Sequence, residues 1–165
     1  MAVLVVVFTQ FLDPFRRMEG TAAVDLLHLV GVPEHTVQSL GGALLAVIPP
    51  GHDGFLIYVA PGCSSLAALL SLVLLVLFTP RGLGWWRLCA PVAAILCVLT
   101  GNVLRLAGSL GFGLIAGRES SLLFHDWAGT IFSYIYTVGG YLLMLWLLLT
   151  VCGRRRRKLE ASHVD

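Results

Sequence analysis

The chain has 165 residues, 58% of them hydrophobic and 12% charged, with a formal net charge of +2. Soluble domains carry about 25% charged residues, so this chain, with a mean hydropathy of +0.89, belongs in a bilayer as one domain. Its basic residues cluster in Arg154–Lys158, just past an apolar stretch. Nucleic-acid binding would need them interleaved with aromatics on a folded face; the cluster instead fits a cytoplasmic membrane end.

In chain order, Met1–Leu12 is apolar but only about 18 Å long as a helix, short against a hydrocarbon core of ~30 Å. No basic segment precedes it and no small-residue cleavage site follows, so it reads as a short or tilted span that Asp13-Pro14 ends. From Phe15 to Val32, Arg16, Arg17, Glu19, Asp25 and His28 mix with aliphatic residues, the pattern of an amphipathic helix lying at the interface, with His28 on its polar face. Pro33–Ala60 is broken by Gly41-Gly42, Pro49-Pro50 and Gly51-His52-Asp53-Gly54. Its apolar runs are too short to cross a membrane, and Phe55–Val59 is strand-like. Open strand edges do not occur in hydrocarbon, which makes this segment a small cap at the membrane surface, with His35 and His52 as turn residues.

Three spans are predicted to follow. Ser64–Thr79 is a helix closed by Pro80, Leu88–Ala107 is long enough for ~30 Å, and Asp126–Val151 ends at the basic run. Arg81–Arg87 is a tight connection with two interfacial tryptophans, and Gly108–Leu123 is a glycine-rich loop carrying Arg118 and Glu119. The expected architecture is an all-α polytopic membrane protein of about four transmembrane helices, with an interfacial amphipathic helix and a small strand-like extracytoplasmic cap. Residues 1–151 form a single integral-membrane domain, with its core at roughly 25–150, and 152–165 a basic cytoplasmic tail. Placing the 81–87 connection and the tail in the cytoplasm puts seven of the 11 basic residues there. Both termini are then cytoplasmic, and Cys63, Arg105 and His125 come to the same, outer depth.

The four cysteines, Cys63, Cys89, Cys97 and Cys152, contain no CxxC, which argues against zinc and thioredoxin-like sites. Cys89, Cys97 and Cys152 lie in apolar helical sequence and act as small hydrophobes. Cys63 differs: in Pro61-Gly62-Cys63-Ser64-Ser65 the thiol sits at the first turn of a helix, where partial positive charge favours thiolate. A cysteine with a histidine at one depth is the minimum for a nucleophile and its base. Arg105 lies in an apolar helix, where ionisable residues are expensive and usually functional, with Asn102 one turn earlier on the same face. Plainer readings stand beside these: Cys63 as filler, Arg105 snorkelling from a helix end, and His125-Asp126 as a helix cap. An arginine in place of a third ligand disfavours a catalytic metal.

The segments Cys63-Ser64-Ser65, Asn102-Val103-Leu104-Arg105 and Phe124-His125-Asp126 resemble, in this order, the Cys-Ser-Gly, Asn-x-x-Arg and Phe-His motifs of the exosortase/archaeosortase family of membrane transpeptidases. Gly31-Val32-Pro33 and the strand-like stretch after it also look like that family, and the resemblance covers roughly residues 25–150. Ser65 departs from the usual glycine, and the N-terminal part is shorter than in larger members. The resemblance implies a multi-pass enzyme of a prokaryotic cytoplasmic (inner) membrane, without a cofactor, acting at the extracytoplasmic face. Its substrates would be membrane-anchored proteins with a C-terminal sorting signal of short motif, transmembrane helix and basic tail. Cys63 would form a thioester, His125 would act as base and then acid, and Arg105 would stabilise the oxyanion. Asn102 would hold Arg105, and Asp126 would orient His125. The product would pass to a lipid or glycan-linked acceptor. Two alternatives are a membrane cysteine protease, in which water resolves the thioester, and a non-catalytic membrane scaffold subunit.

Overall fold

In a computed structural model, the backbone is described at residues 2–41, 43–51, 53–78 and 86–161, and side chains at 10–41, 43–51, 53–76 and 88–150. The N-terminal segment is one helix, α1 (Ala2–Leu29), of 28 residues, about 42 Å long. It passes through Pro14. The expected stop at Asp13-Pro14 and the separate interfacial helix over Phe15–Val32 are therefore replaced by one continuous element. An interior proline costs about 3 kcal/mol, and tertiary anchors just beyond it offset this. Arg16 Nη1 donates to the Tyr58 hydroxyl at 2.8 Å and to the Val59 carbonyl at 2.9 Å, and its guanidinium also pairs with Asp13. His28 is likewise engaged, its Nε2 lying 3.0 Å from the Val37 carbonyl oxygen.

The cap is a three-stranded antiparallel meander of β1 (Val37–Gly41), β2 (Leu44–Val47) and β3 (Phe55–Tyr58). Val37 pairs with Val47, and Leu45 with Ile57. Period-two alternation turns Leu45 and Val47 into a core shared with Val24 and Leu27 of α1, and with Leu106 and Leu110 further along. Leu44, Leu56 and Tyr58 are exposed. A 3₁₀ turn at Pro61–Cys63 leads to α2 (Leu66–Phe78), which starts two residues later than expected. Gly42, His52 and the connection at 79–85 lie outside the described residues, as do the side chains of Arg87, Cys152 and the basic run.

Helix α3 (Trp86–Leu123) absorbs the whole predicted loop over Gly108–Leu123. The chain reverses inside it at a single residue, Gly117, with φ 80° and ψ −174°, a region open essentially to glycine alone. Contacts are symmetric about that point. Gly113 faces Ser121, Gly108 faces the Phe124 ring, Gly129 faces Arg105, Gly101 faces Tyr136, and Gly140 faces Ala94 and Val98. The two legs thus form an antiparallel helical hairpin. A π-helical turn at Phe124–Ala128 joins directly to α4 (Gly129–Ala161), which continues through Arg154–Lys158 and does not end at Val151. Leu72, Ala94, Val98, Tyr136 and Met144 pack α2 against this hairpin.

Among the described residues, the helical stretch Leu88–Thr150, which holds both legs, is long and apolar enough to cross a membrane, with a mean hydropathy of 1.8; Leu66–Val76 is apolar but shorter. Ile115, Ile131, Leu142, Trp146 and Leu149 project outward, a surface suited to lipid.

The reversal makes Gly117 irreplaceable. Gly117→Ala should lower stability in detergent by about 1–3 kcal/mol, the cost of forcing a side chain into this backbone region. Gly139→Ala, in open space on α4, should be neutral or stabilising. Thermal unfolding of the two variants against the parent checks the difference.

Candidate active site

Pro61 pre-sets the 3₁₀ turn, and the Cys63 N–H closes it on the Ala60 carbonyl at 2.9 Å. The thiol is thereby fixed ahead of α2, not in its first turn, and Cys63 is only 6% exposed. His125 reaches it from the second leg of the hairpin. The residues flanking the π-turn, Leu123 and Gly129, both have right-handed helical angles, so the turn is a one-residue insertion in a continuous helical path and not the helix start expected for His125-Asp126. Such an insertion re-aims side chains and often marks functional sites. Here it sets His125 Nε2 2.9 Å from Cys63 Sγ, across 62 residues of sequence.

Arg105 completes the group. It lies in the middle of α3, is 6% exposed, and its Nε has no hydrogen-bond partner. A snorkelling arginine would have its head in water, which this one does not. Its guanidinium packs on Gly129, where an added Cβ would fall 2.8 Å from Nε. Burial pushes the Cys63 thiol up from its ordinary value; the Arg105 guanidinium pulls it back by charge and hydrogen bonding, and the Asp126 carboxylate adds to the upward push. The upward direction wins. The expectation that position alone would favour thiolate does not hold, because desolvation outweighs the neighbouring cation.

The polar residues around this group are tied together by Glu19, which sequence reasoning left on an interfacial helix. It is 1% exposed. Its Oε1 accepts from the Ser65 N–H at 3.1 Å, from the Ser65 hydroxyl at 2.5 Å and from Asn102 Nδ2 at 2.8 Å. The Tyr136 hydroxyl donates to Asn102 Oδ1 at 3.0 Å. Asn102 therefore braces Glu19 and Tyr136, where the resemblance had it holding Arg105. Ser65, in place of the family's glycine, is buried as one of the donors.

Asp126 is exposed on the same π-turn as His125 and touches the thiol only through its field. Arg118, which the sequence placed in a loop with no motif around it, lines with His125 a cavity of about 150 Å³. Among the described residues, no three or more His, Cys, Asp or Glu side chains gather to hold a metal. Cys89 and Cys97 are half-buried free thiols in α3.

Two measurements follow from this geometry. Glu19→Ala leaves the Ser65 and Asn102 donors buried without an acceptor, at about 1–3 kcal/mol for each such group, and should unfold well below the parent in detergent. Glu19→Gln keeps an acceptor oxygen for those donors but sets its amide where Oε2 has no partner, so it should unfold between Glu19→Ala and the parent. In a chain whose other cysteines are replaced, alkylation of Cys63 by iodoacetamide should keep rising with pH beyond the ordinary thiol midpoint of about 8.5. Arg105→Gln, which removes the cation that lowers the thiol, should move the profile to still higher pH. A shift to lower pH would contradict the assignment.

Residues 1–152 match the family model described as transmembrane exosortase, almost the whole length of the chain. Neither a curated protein nor a solved structure matches it. A match of this extent, with a cysteine, an arginine and a histidine brought together from the two legs of a membrane hairpin and the turn before α2, makes this chain a member of the transmembrane exosortase family.

Proposed function

We propose that the protein is a membrane-embedded cysteine transpeptidase that cleaves C-terminal sorting signals of secreted proteins and transfers the product to an acceptor. The observation that carries this reading is the 2.9 Å approach of Cys63 Sγ to His125 Nε2, beside a buried arginine with an unpartnered Nε. A scaffold has no need of a buried, unsatisfied guanidinium donor next to a thiol, since each such group costs stability. A reaction in which negative charge develops at that point does need one.

In the proposed chemistry, His125 takes the Cys63 proton as sulfur attacks the peptide carbonyl at the signal. The carbonyl oxygen becomes an oxyanion held by Arg105. The intermediate collapses, the C–N bond breaks, and His125 returns its proton to the leaving amine. An acyl thioester remains on Cys63. An acceptor amine or hydroxyl then attacks it, giving up its proton to His125, and the Cys63 thiol is restored. Asn102 and Glu19 hold the backbone on which Cys63 and Arg105 stand, and Asp126 biases His125 electrostatically. We further propose a multi-pass arrangement of about four spans in the cytoplasmic membrane, with the basic connection and tail inside and the sheet and Cys63 outside. This follows from the partition of basic residues.

The test is co-expression with secreted reporters that end in tripartite signals from the source organism. The parent should shorten the reporter and Cys63→Ala should not. Arg105→Lys keeps the charge but loses the planar fork; it should insert normally yet process about a hundred- to a thousandfold more slowly, the usual loss on removing one oxyanion donor. Arg17→Lys, on the exposed side of α1, should be near the parent. The mass of the product C-terminus separates transfer from hydrolysis. Processing that survives Cys63→Ala would leave the scaffold reading in place.

A further inference from the structure

The sheet ends in an edge that nothing in the proposed chemistry has yet used. Its order is β1-β2-β3, so β3 is paired on one side only. The pairing fixes which backbone groups are free. The Val59 N–H bonds to the Ala43 carbonyl of the β2 side, and antiparallel alternation then gives Ile57 and Phe55 the same inward parity, opposite Leu45 and Val47. The N–H and C=O groups of Leu56 and Tyr58 therefore point away from β2, and among the described residues they bond to no other element.

That edge borders the cavity that His125 lines. All five residues Phe55–Val59 contribute to its wall. A strand face presents only alternate residues to one side, so five in a row mark the edge itself. Across the cavity stand His125 and Ser109, and Ser109 is 5% exposed with a hydroxyl that has no partner. Beyond Val59 the chain reaches Cys63 within four residues, and Cys63 Sγ touches His125. A volume of about 150 Å³ accommodates a side chain, not a folded domain.

We infer that the free edge of β3 is the substrate-binding strand. An extended peptide pairs with the outward N–H and C=O groups of Leu56 and Tyr58, sets alternate side chains into the cavity, and presents its scissile carbonyl to Cys63, His125 and Arg105. This rests on the transpeptidase reading and adds how the peptide is held. Strand addition of this kind draws affinity from main-chain hydrogen bonds and specificity from alternate side chains. An open edge is otherwise a liability that proteins cover or blunt, and this one ends at a nucleophile.

Proline at Leu56 tests it, because the N–H it removes faces outward and the β2–β3 bonds stay intact. With a reporter carrying a tripartite signal, Leu56→Pro should lower processing by about tenfold, the worth of one strong backbone hydrogen bond. Leu56→Ala changes the same side chain but keeps the N–H, so it should process about tenfold faster than Leu56→Pro. Alkylation of Cys63 at parental rate shows that the site is intact in both. A second measurement does not depend on the proline variant folding. In a Cys63→Ala chain without its other cysteines, Leu56→Cys is oxidised against single cysteines walked along the reporter segment ahead of its transmembrane helix. Disulfides at every second position support strand pairing. Parental processing by Leu56→Pro, or crosslinks without alternation, overturn it while the Cys63 chemistry stands. If the parent chain fails to process the reporter and Cys63→Ala changes nothing, the transpeptidase reading falls and this inference with it.

Discussion

A buried polar oxygen in an apolar bundle needs donors, and Glu19 Oε1 takes three from two distant parts of the chain. Burying a polar group costs about 1–3 kcal/mol unless partners replace the solvent. The folded state therefore has only a narrow range of arrangements in which α1, the turn before α2 and the middle of α3 can meet. The donors flank the reactive groups: Ser65 is two residues after Cys63, and Asn102 is three before Arg105. Holding those donors on one oxygen also fixes the thiol relative to the guanidinium. Tyr136, bonded to Asn102, extends the same constraint to α4.

The second constraint is the hairpin. Gly117 lets α3 fold back with no loop, so residues equidistant from it face each other. Arg105 thereby meets Gly129, whose lack of a side chain leaves space for the guanidinium. The π-turn just before Gly129 then swings His125 towards the turn that carries Cys63. The site is assembled from rigid helical pieces and a short 3₁₀ turn. This is how a thiol and an imidazole 62 residues apart in sequence come within hydrogen-bond distance.

Electrostatically the site is a balance that desolvation wins. Arg105 favours a thiolate, but burial of Cys63 disfavours it more. In the proposed chemistry the nucleophile is a thiol that ionises on demand by passing its proton to His125. The guanidinium is thereby kept for the charge that appears on the substrate.

Composition alone placed the chain in a membrane. The aromatic and β-branched run at Phe55 marked a strand, and the Cys63, Arg105 and His125 motifs marked the residues that the fold assembles. These features are local: hydropathy, β-propensity and a breaker such as Pro61-Gly62 act within a few residues. What local pattern could not decide depended on partners far along the chain. Pro14 reads as a stop because the anchors that carry α1 past it, Tyr58 and Val59, lie more than 40 residues away. Gly108–Leu123 reads as a loop because glycines are breakers in isolation, yet here they let the two legs of the hairpin approach. Glu19 reads as one more charge on an amphipathic face because its acceptor role needs Ser65 and Asn102, which are 46 and 83 residues distant. The sequence by itself determined the solvent this protein lives in and singled out the cysteine, arginine and histidine that the fold brings together. Only tertiary structure decided which polar groups were buried together, because a buried polar group needs hydrogen-bond partners and those come from wherever the whole fold brings them.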